Sequence, residues 1–90
     1  MNEELHIASL VIHVLPVAVE QVAQSMATVE TAHVHGTHPN GKLVITLEGP
    51  SAAFIMDQVA LIRQIAGVIN VSLVYQHTEP LHSLNEGVTL

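Results

Sequence analysis

Three imidazoles fall within one short run, His33-Val34-His35-Gly36-Thr37-His38. On an extended strand His33 and His35 share a face, and neutral imidazole suits zinc, copper or nickel. A histidine-based metal-binding module is therefore one reading of this run. Against it, no carboxylate lies inside the motif, and the chain has no cysteine for a thiolate ligand. His13 joins the set only if strand register brings it there. A second constellation is Ser9 with His13, a hydroxyl and an imidazole on one strand face. Four residues apart on an extended strand they stand about 13 Å from each other, too far to share a proton. Glycine-rich phosphate loops, supported Ser/His/Asp sets and paired carboxylates on a shared strand face are all missing. No enzyme, no catalytic residue, no cofactor and no metal site are expected.

The totals narrow the partner. Lys42 and Arg63 are the only basic side chains against eight carboxylates, for a formal charge of −6. Nucleic-acid binding needs a positive face to neutralise phosphates, so no nucleic-acid partner is expected. An acidic surface favours Arg- or Lys-bearing partners and repels anionic membranes. Met1-Asn2-Glu3-Glu4-Leu5 lacks the basic-then-apolar layout of a signal peptide. No apolar run approaches membrane-spanning length, so no membrane insertion is expected and the location is read as cytoplasmic. Ninety residues, 49% of them hydrophobic, suit one domain, 1–90, with an aliphatic core.

The elements that position these residues follow from periodicity. Leu5 to Val14 reads as a strand with Ala8, Leu10, Ile12 and Val14 on one side and Ser9, Val11 and His13 on the other. Pro16 opens a helix over Val17 to Val29, with Val19, Val22, Ala23, Met26 and Val29 at helical spacing. Thr31 to Gly36 alternates as a second strand, and Pro39-Asn40-Gly41 turns it into a third, Lys42 to Glu48. Gly49-Pro50-Ser51 starts a second helix reaching Ala66, with Ile55, Val59, Ile62 and Ala66 as its buried stripe. Gly67 is placed to end it in a left-handed conformation. The last strand is Val68 to Tyr75, and the ordered core spans 5–77 with a flexible tail over 78–90. Leu10 to Val14 followed by Pro16 resembles Leu43 to Leu47 followed by Pro50, an internal repeat. The outcome is an α+β, ferredoxin-like β-α-β-β-α-β fold: a four-stranded antiparallel sheet with both helices on one face.

With helices on one face, the other is left bare. Ser9, Val11, His13, His33, His35, Val44, Thr46, Glu48, Asn70, Ser72 and Val74 fall on it by alternation. An antiparallel sheet of this kind ordinarily turns polar residues outward. Here Val11, Val44 and Val74 make an apolar middle with hydroxyls, imidazoles and a carboxylate around it, the anatomy of a modest binding patch. A small-molecule-binding module shares the topology. An RNA-recognition module also shares it, but needs stacking aromatics and a basic surface.

The strand motifs resemble the NapD family. The resemblance rests on Ser9-Leu10-Val11-Ile12, on the hairpin segment Asn40-Gly41-Lys42-Leu43-Val44-Ile45, and on Gly67-Val68-Ile69-Asn70-Val71-Ser72-Leu73-Val74-Tyr75. It covers about Leu5 to His77; the high histidine content and the tail after Glu79 depart from it. The resemblance implies a ferredoxin-like cytoplasmic chaperone for the catalytic subunit of periplasmic nitrate reductase. It implies binding of the precursor's twin-arginine signal peptide, which delays export until molybdenum cofactor insertion is complete. The peptide would dock as a helix on the sheet, with Ser9, Val11, His13, Val44, Thr46, Glu48, Ser72 and Val74 as expected peptide-binding residues. Glu48 is the first choice for an arginine partner, with Glu30 and Glu79 as alternatives. A monomer or weak homodimer is expected.

Overall fold

A computed structural model of the protein describes residues 4–80. Its elements are β1 (Glu4–Val14), one turn of 3-10 helix (Pro16–Ala18), α1 (Val19–Ala27), β2 (Ala32–His38), β3 (Lys42–Gly49), α2 (Ala52–Arg63) and β4 (Val68–Pro80). The strands form one antiparallel sheet in the order β2-β3-β1-β4, the ferredoxin-like arrangement that the β-α-β-β-α-β reading anticipates. β1 and β3 are the central pair.

β1 shows why the sheet has two unlike faces. Ala8, Leu10, Ile12 and Val14 are buried, and the residues between them are only half-buried. Leu43, Ile45 and Leu47 of β3 extend the same covered face, together with Val71 of β4. Both helices press onto it, α1 through Val22 and Met26 and α2 through Ile55, Val59 and Ile62. No polar or charged residue is buried in this core among the described residues, so it holds by apolar burial alone.

Local chemistry sets the element ends. Pro16 fits the first helical turn because its missing N–H would have no partner there. That first turn is 3-10, so α1 proper begins at Val19, later than the Val17 expected. It stops at Ala27, where the Thr28 hydroxyl donates to the Ser25 carbonyl at 2.7 Å. Ser51 caps α2, its hydroxyl accepting from the Phe54 N–H at 3.0 Å. α2 ends at Arg63, so Ala66 lies beyond the helix and is exposed, outside the buried stripe expected for it. Gly67 is left-handed as expected, at φ +94°, but does not end α2: the Gln64 C-cap is right-handed and Gly67 lies three residues past it, where a Cβ would stand 2.6 Å from the Ala18 Cβ. Gly41, at φ +108° in the hairpin, accepts from the Val14 N–H at 2.8 Å, while the Gly67 carbonyl accepts from Leu15 N–H at 2.9 Å. Two glycine-bearing turns thus clasp the end of β1.

β4 differs from expectation in two ways. It runs to Pro80 rather than ending at Tyr75, with Thr78 paired to His6 and Pro80 to Glu4. Residues 78–80, expected in the tail, are strand; residues 81–90 lie outside those described. β4 also carries a bulge. Leu73 pairs with Leu10 and Tyr75 with Ser9, leaving Val74 with no partner on β1. Leu73 points its rung toward the covered face but is 50% exposed, at an edge strand.

A sheet face with an apolar middle

The uncovered face is a grid of rungs set by the three strand pairings. One rung runs His38, Lys42, His13, Asn70. The next runs Gly36, Val44, Val11, Ser72, and the third His33, Thr46, Ser9, Tyr75. Beyond it Glu48, Ile7 and His77 align, and then Leu5 beside Glu79.

Seven of the eight residues singled out from sequence share this grid. Ser9 stands between Thr46 and Tyr75, Val11 between Val44 and Ser72, and His13 between Lys42 and Asn70, while Glu48 stands beside Ile7. Val74 does not complete the valine row. It sits in the bulge, mostly exposed, and Tyr75 takes the place level with Ser9. Past the Ser9 rung, apolar residues resume on β1 at Ile7 and Leu5. Those two, with Tyr75 and His77, were not singled out from sequence. The parity of Leu5 and Ile7 with Ser9 and Val11 signals their face; nothing in the sequence marks the bulge that brings Tyr75 there.

The polar groups on the face are partly engaged with one another. His35 Nε2 lies 2.9 Å from Thr46 Oγ1. Asn70 Nδ2 donates to Ser72 Oγ at 3.3 Å. Near the Leu5 end, His77 Nε2 donates to Glu79 Oε1 at 2.7 Å, and the His77 ring stacks on Tyr75 with centroids 6.1 Å apart and planes 16° from parallel. His33 Nε2 stands 4.0 Å from Glu48 Oε2, beyond hydrogen-bond reach. His13 Nδ1 is buried without a partner.

The histidine run of β2 therefore splits three ways. His33 faces Glu48, His35 takes Thr46, and His38 Nδ1 accepts from the Asn40 N–H at 3.2 Å. Among the described residues no group of three or more His, Cys, Asp or Glu stands where it would hold a metal ion. No helix of the described residues is long and apolar enough to cross a membrane. What the face offers is two aliphatic patches, Val11 with Val44 and Ile7 with Leu5, on either side of the Ser9 rung, with hydroxyls, imidazoles and carboxylates around them. That arrangement suits an elongated amphipathic ligand.

Comparison with known proteins agrees with this architecture. The solution structure of the E. coli Tat proofreading chaperone protein NapD matches with a TM-score of 0.75 at 22% identity, covering 83% of this chain and 80% of that chain. At that identity the likeness speaks for the fold. No curated protein matches the chain. The family model of the NapD protein, however, matches residues 5–80, from the start of β1 to the end of β4, and this chain belongs to the NapD family.

Proposed function

We propose that this protein is a chaperone that binds the twin-arginine signal peptide of the periplasmic nitrate reductase precursor on the uncovered face of its sheet. The observation that carries the reading is that face itself: in a chain of the NapD family, helices cover only one side of the sheet, and Val11 and Val44 lie side by side on the other. The apolar face of a helical peptide packs on Val11, Val44 and Ile7. Ser9, Thr46 and Ser72 supply hydrogen bonds that adapt to the ligand, and His13 and Val74 border the strip. Glu48 and Glu79 receive arginine, whose planar fork suits a carboxylate. No chemistry is performed and no cofactor is held.

Delay of export follows from mass action. A bound signal is withdrawn from the export machinery in proportion to occupancy, until the apoenzyme has taken up its cofactor. The protein acts in the cytoplasm, where the signal is still attached.

Calorimetric titration with a nitrate reductase signal peptide tests this. Saturable binding is expected, and Val11→Glu with Val44→Glu should weaken it by at least about tenfold, because two carboxylates would be desolvated against apolar side chains. Val11 and Val44 are cross-strand partners, so the two carboxylates repel and lower the urea midpoint. Affinity is therefore compared at a temperature where the variant keeps the parent's circular dichroism spectrum. Unchanged affinity in the double variant overturns the placement on this face.

A further inference from the structure

The uncovered face is electrically lopsided along β1. At the Leu5 end stand two carboxylates, Glu48 on β3 beside Ile7 and Glu79 on β4 beside Leu5. At the far end the rung of His38, Lys42, His13 and Asn70 holds no carboxylate and carries one of the chain's two basic residues. Each end also opens into a hollow. One, of about 310 Å³, lies at the end of the sheet, lined by Glu4, Leu5, Thr31, Glu48, Gly49 and Pro50. The other, of about 300 Å³, is lined by Gly36, His38 and Lys42 among others. Gly36 helps to shape the second, since nothing stands within 4 Å of where its Cβ would be.

We propose that this face takes its peptide in one direction only: as a helix running the same way as β1, its arginine-bearing N-terminal end over Glu48 and Glu79, its C-terminal end over Lys42. The proposal rests on the peptide-binding reading above and adds the direction. An α-helix carries partial positive charge at its N-terminus and partial negative charge at its C-terminus. Arginines near the N-terminus add to that dipole. In the stated direction both ends meet opposite charge; reversed, the arginines face Lys42 and the terminal carbonyls face carboxylates.

Length and geometry agree. Leu5 to His13 spans about 26 Å of strand, the length of a helix of roughly 17 residues. Consecutive side chains on a helix point about 100° apart. Two adjacent arginines above the Leu5–Ile7 strip therefore reach opposite flanks, one toward Glu48 on β3 and the other toward Glu79 on β4. The two flanks are not equivalent. On the β4 flank the half-exposed Tyr75 ring, His77 and Glu79 form a continuous ladder. A guanidinium brings a planar N–H fork to the Glu79 carboxylate, which a lysine ammonium cannot. Glu79 thus favours arginine over lysine at one of the two positions.

The chain has no cysteine, so a nitroxide on a single peptide cysteine stays on the peptide. The full chain, labelled with nitrogen-15, is titrated with a synthetic twin-arginine peptide carrying the nitroxide at its N- or C-terminal end. The N-terminal label is expected to attenuate the amides of Ile7, His77 and Glu79 severalfold more than those of His13 and Lys42, and the C-terminal label to do the reverse. Saturable binding with the opposite pattern, or with equal attenuation at both ends, overturns the direction and leaves the peptide reading standing. Absence of saturable heat overturns both. Replacing both peptide arginines by lysine should weaken binding roughly tenfold on the parent protein and clearly less on Glu79→Gln. Equal losses on the two proteins overturn the role of Glu79.

Discussion

Val44 and Ile45 are neighbours on β3, both β-branched, both in the same ladder with β1, and they live in different solvents. Ile45 pairs with Leu10, and neither exposes any surface. Val44 pairs with Val11 on the opposite side of the sheet and is 45% exposed. The difference comes from the helices alone, since α1 and α2 cover one side of the sheet and leave the other to solvent. One set of alternate residues is thereby committed to stability, and the set between them is released from it. A sheet covered on both sides would need those valines for its core. Here they are available to a ligand, and polar residues can occupy every rung around them.

The largest expected effect separates the two sides directly. Ile45→Ala removes buried methyl and methylene groups from the covered side and should lower the unfolding free energy by about 2–5 kcal/mol. Val44→Ala, one residue away, should cost less than about 1 kcal/mol. Urea denaturation of the two variants measures both. Equal losses would mean that the uncovered side is as tightly packed as the covered one, and would break the comparison.

Gly67→Ala tests a joint that holds the covered side together. Gly67 sits at φ +94°, its missing Cβ leaves room for Ala18, and its carbonyl accepts from the Leu15 N–H. A side chain in the left-handed region costs about 1–3 kcal/mol, and the contact with Ala18 adds to that. The expected loss is therefore smaller than that of Ile45→Ala but well above that of any exposed substitution. A thermal midpoint unchanged by Gly67→Ala would mean that the turn and the first helical turn relax apart freely.

How far these contrasts can be read from sequence depends on whether the cause is local. The faces of β1 and β3, the hairpin at Gly41, the start of α2 after Ser51 and the left-handed conformation of Gly67 each follow from a few neighbouring residues. All are present in the structure. The strand order follows from them once both helices are assigned to one side of the sheet. What resists reading is what the partner strand decides. Leu73-Val74-Tyr75 contains no glycine or proline to announce a bulge; it arises where β4 matches β1 across Ser9 and Leu10. That slip puts Tyr75 on the uncovered face and takes Val74 out of the valine row. The extension of β4 to Pro80 is hidden for the same reason. Gln76 to Glu79 has no apolar alternation, and this stretch is held by its ladder with Glu4 to Ala8. The candidate face was thus legible through β1 and β3, whose alternation is regular, and blurred along β4.

The smallest expected change in stability gives the comparison its sharpest form. Valine and threonine have nearly the same shape but differ by a hydroxyl. On the uncovered side Val44→Thr can leave its hydroxyl in water, so the unfolding free energy should move by no more than about 0.5 kcal/mol. The corresponding Ile45→Thr buries that hydroxyl among Leu10 and its apolar neighbours, where it costs about 1–3 kcal/mol on top of the lost apolar volume. Peptide binding should rank the two oppositely once each folded fraction is taken into account. Val44→Thr weakens it by removing apolar contact from the middle of the strip. Ile45→Thr, measured at a temperature where the variant is folded, leaves the strip intact and should bind as the parent does. If both variants lost affinity in proportion to lost stability, the uncovered face would have no binding role separate from the fold. Opposite rankings would show that alternate residues of one strand answer to different demands.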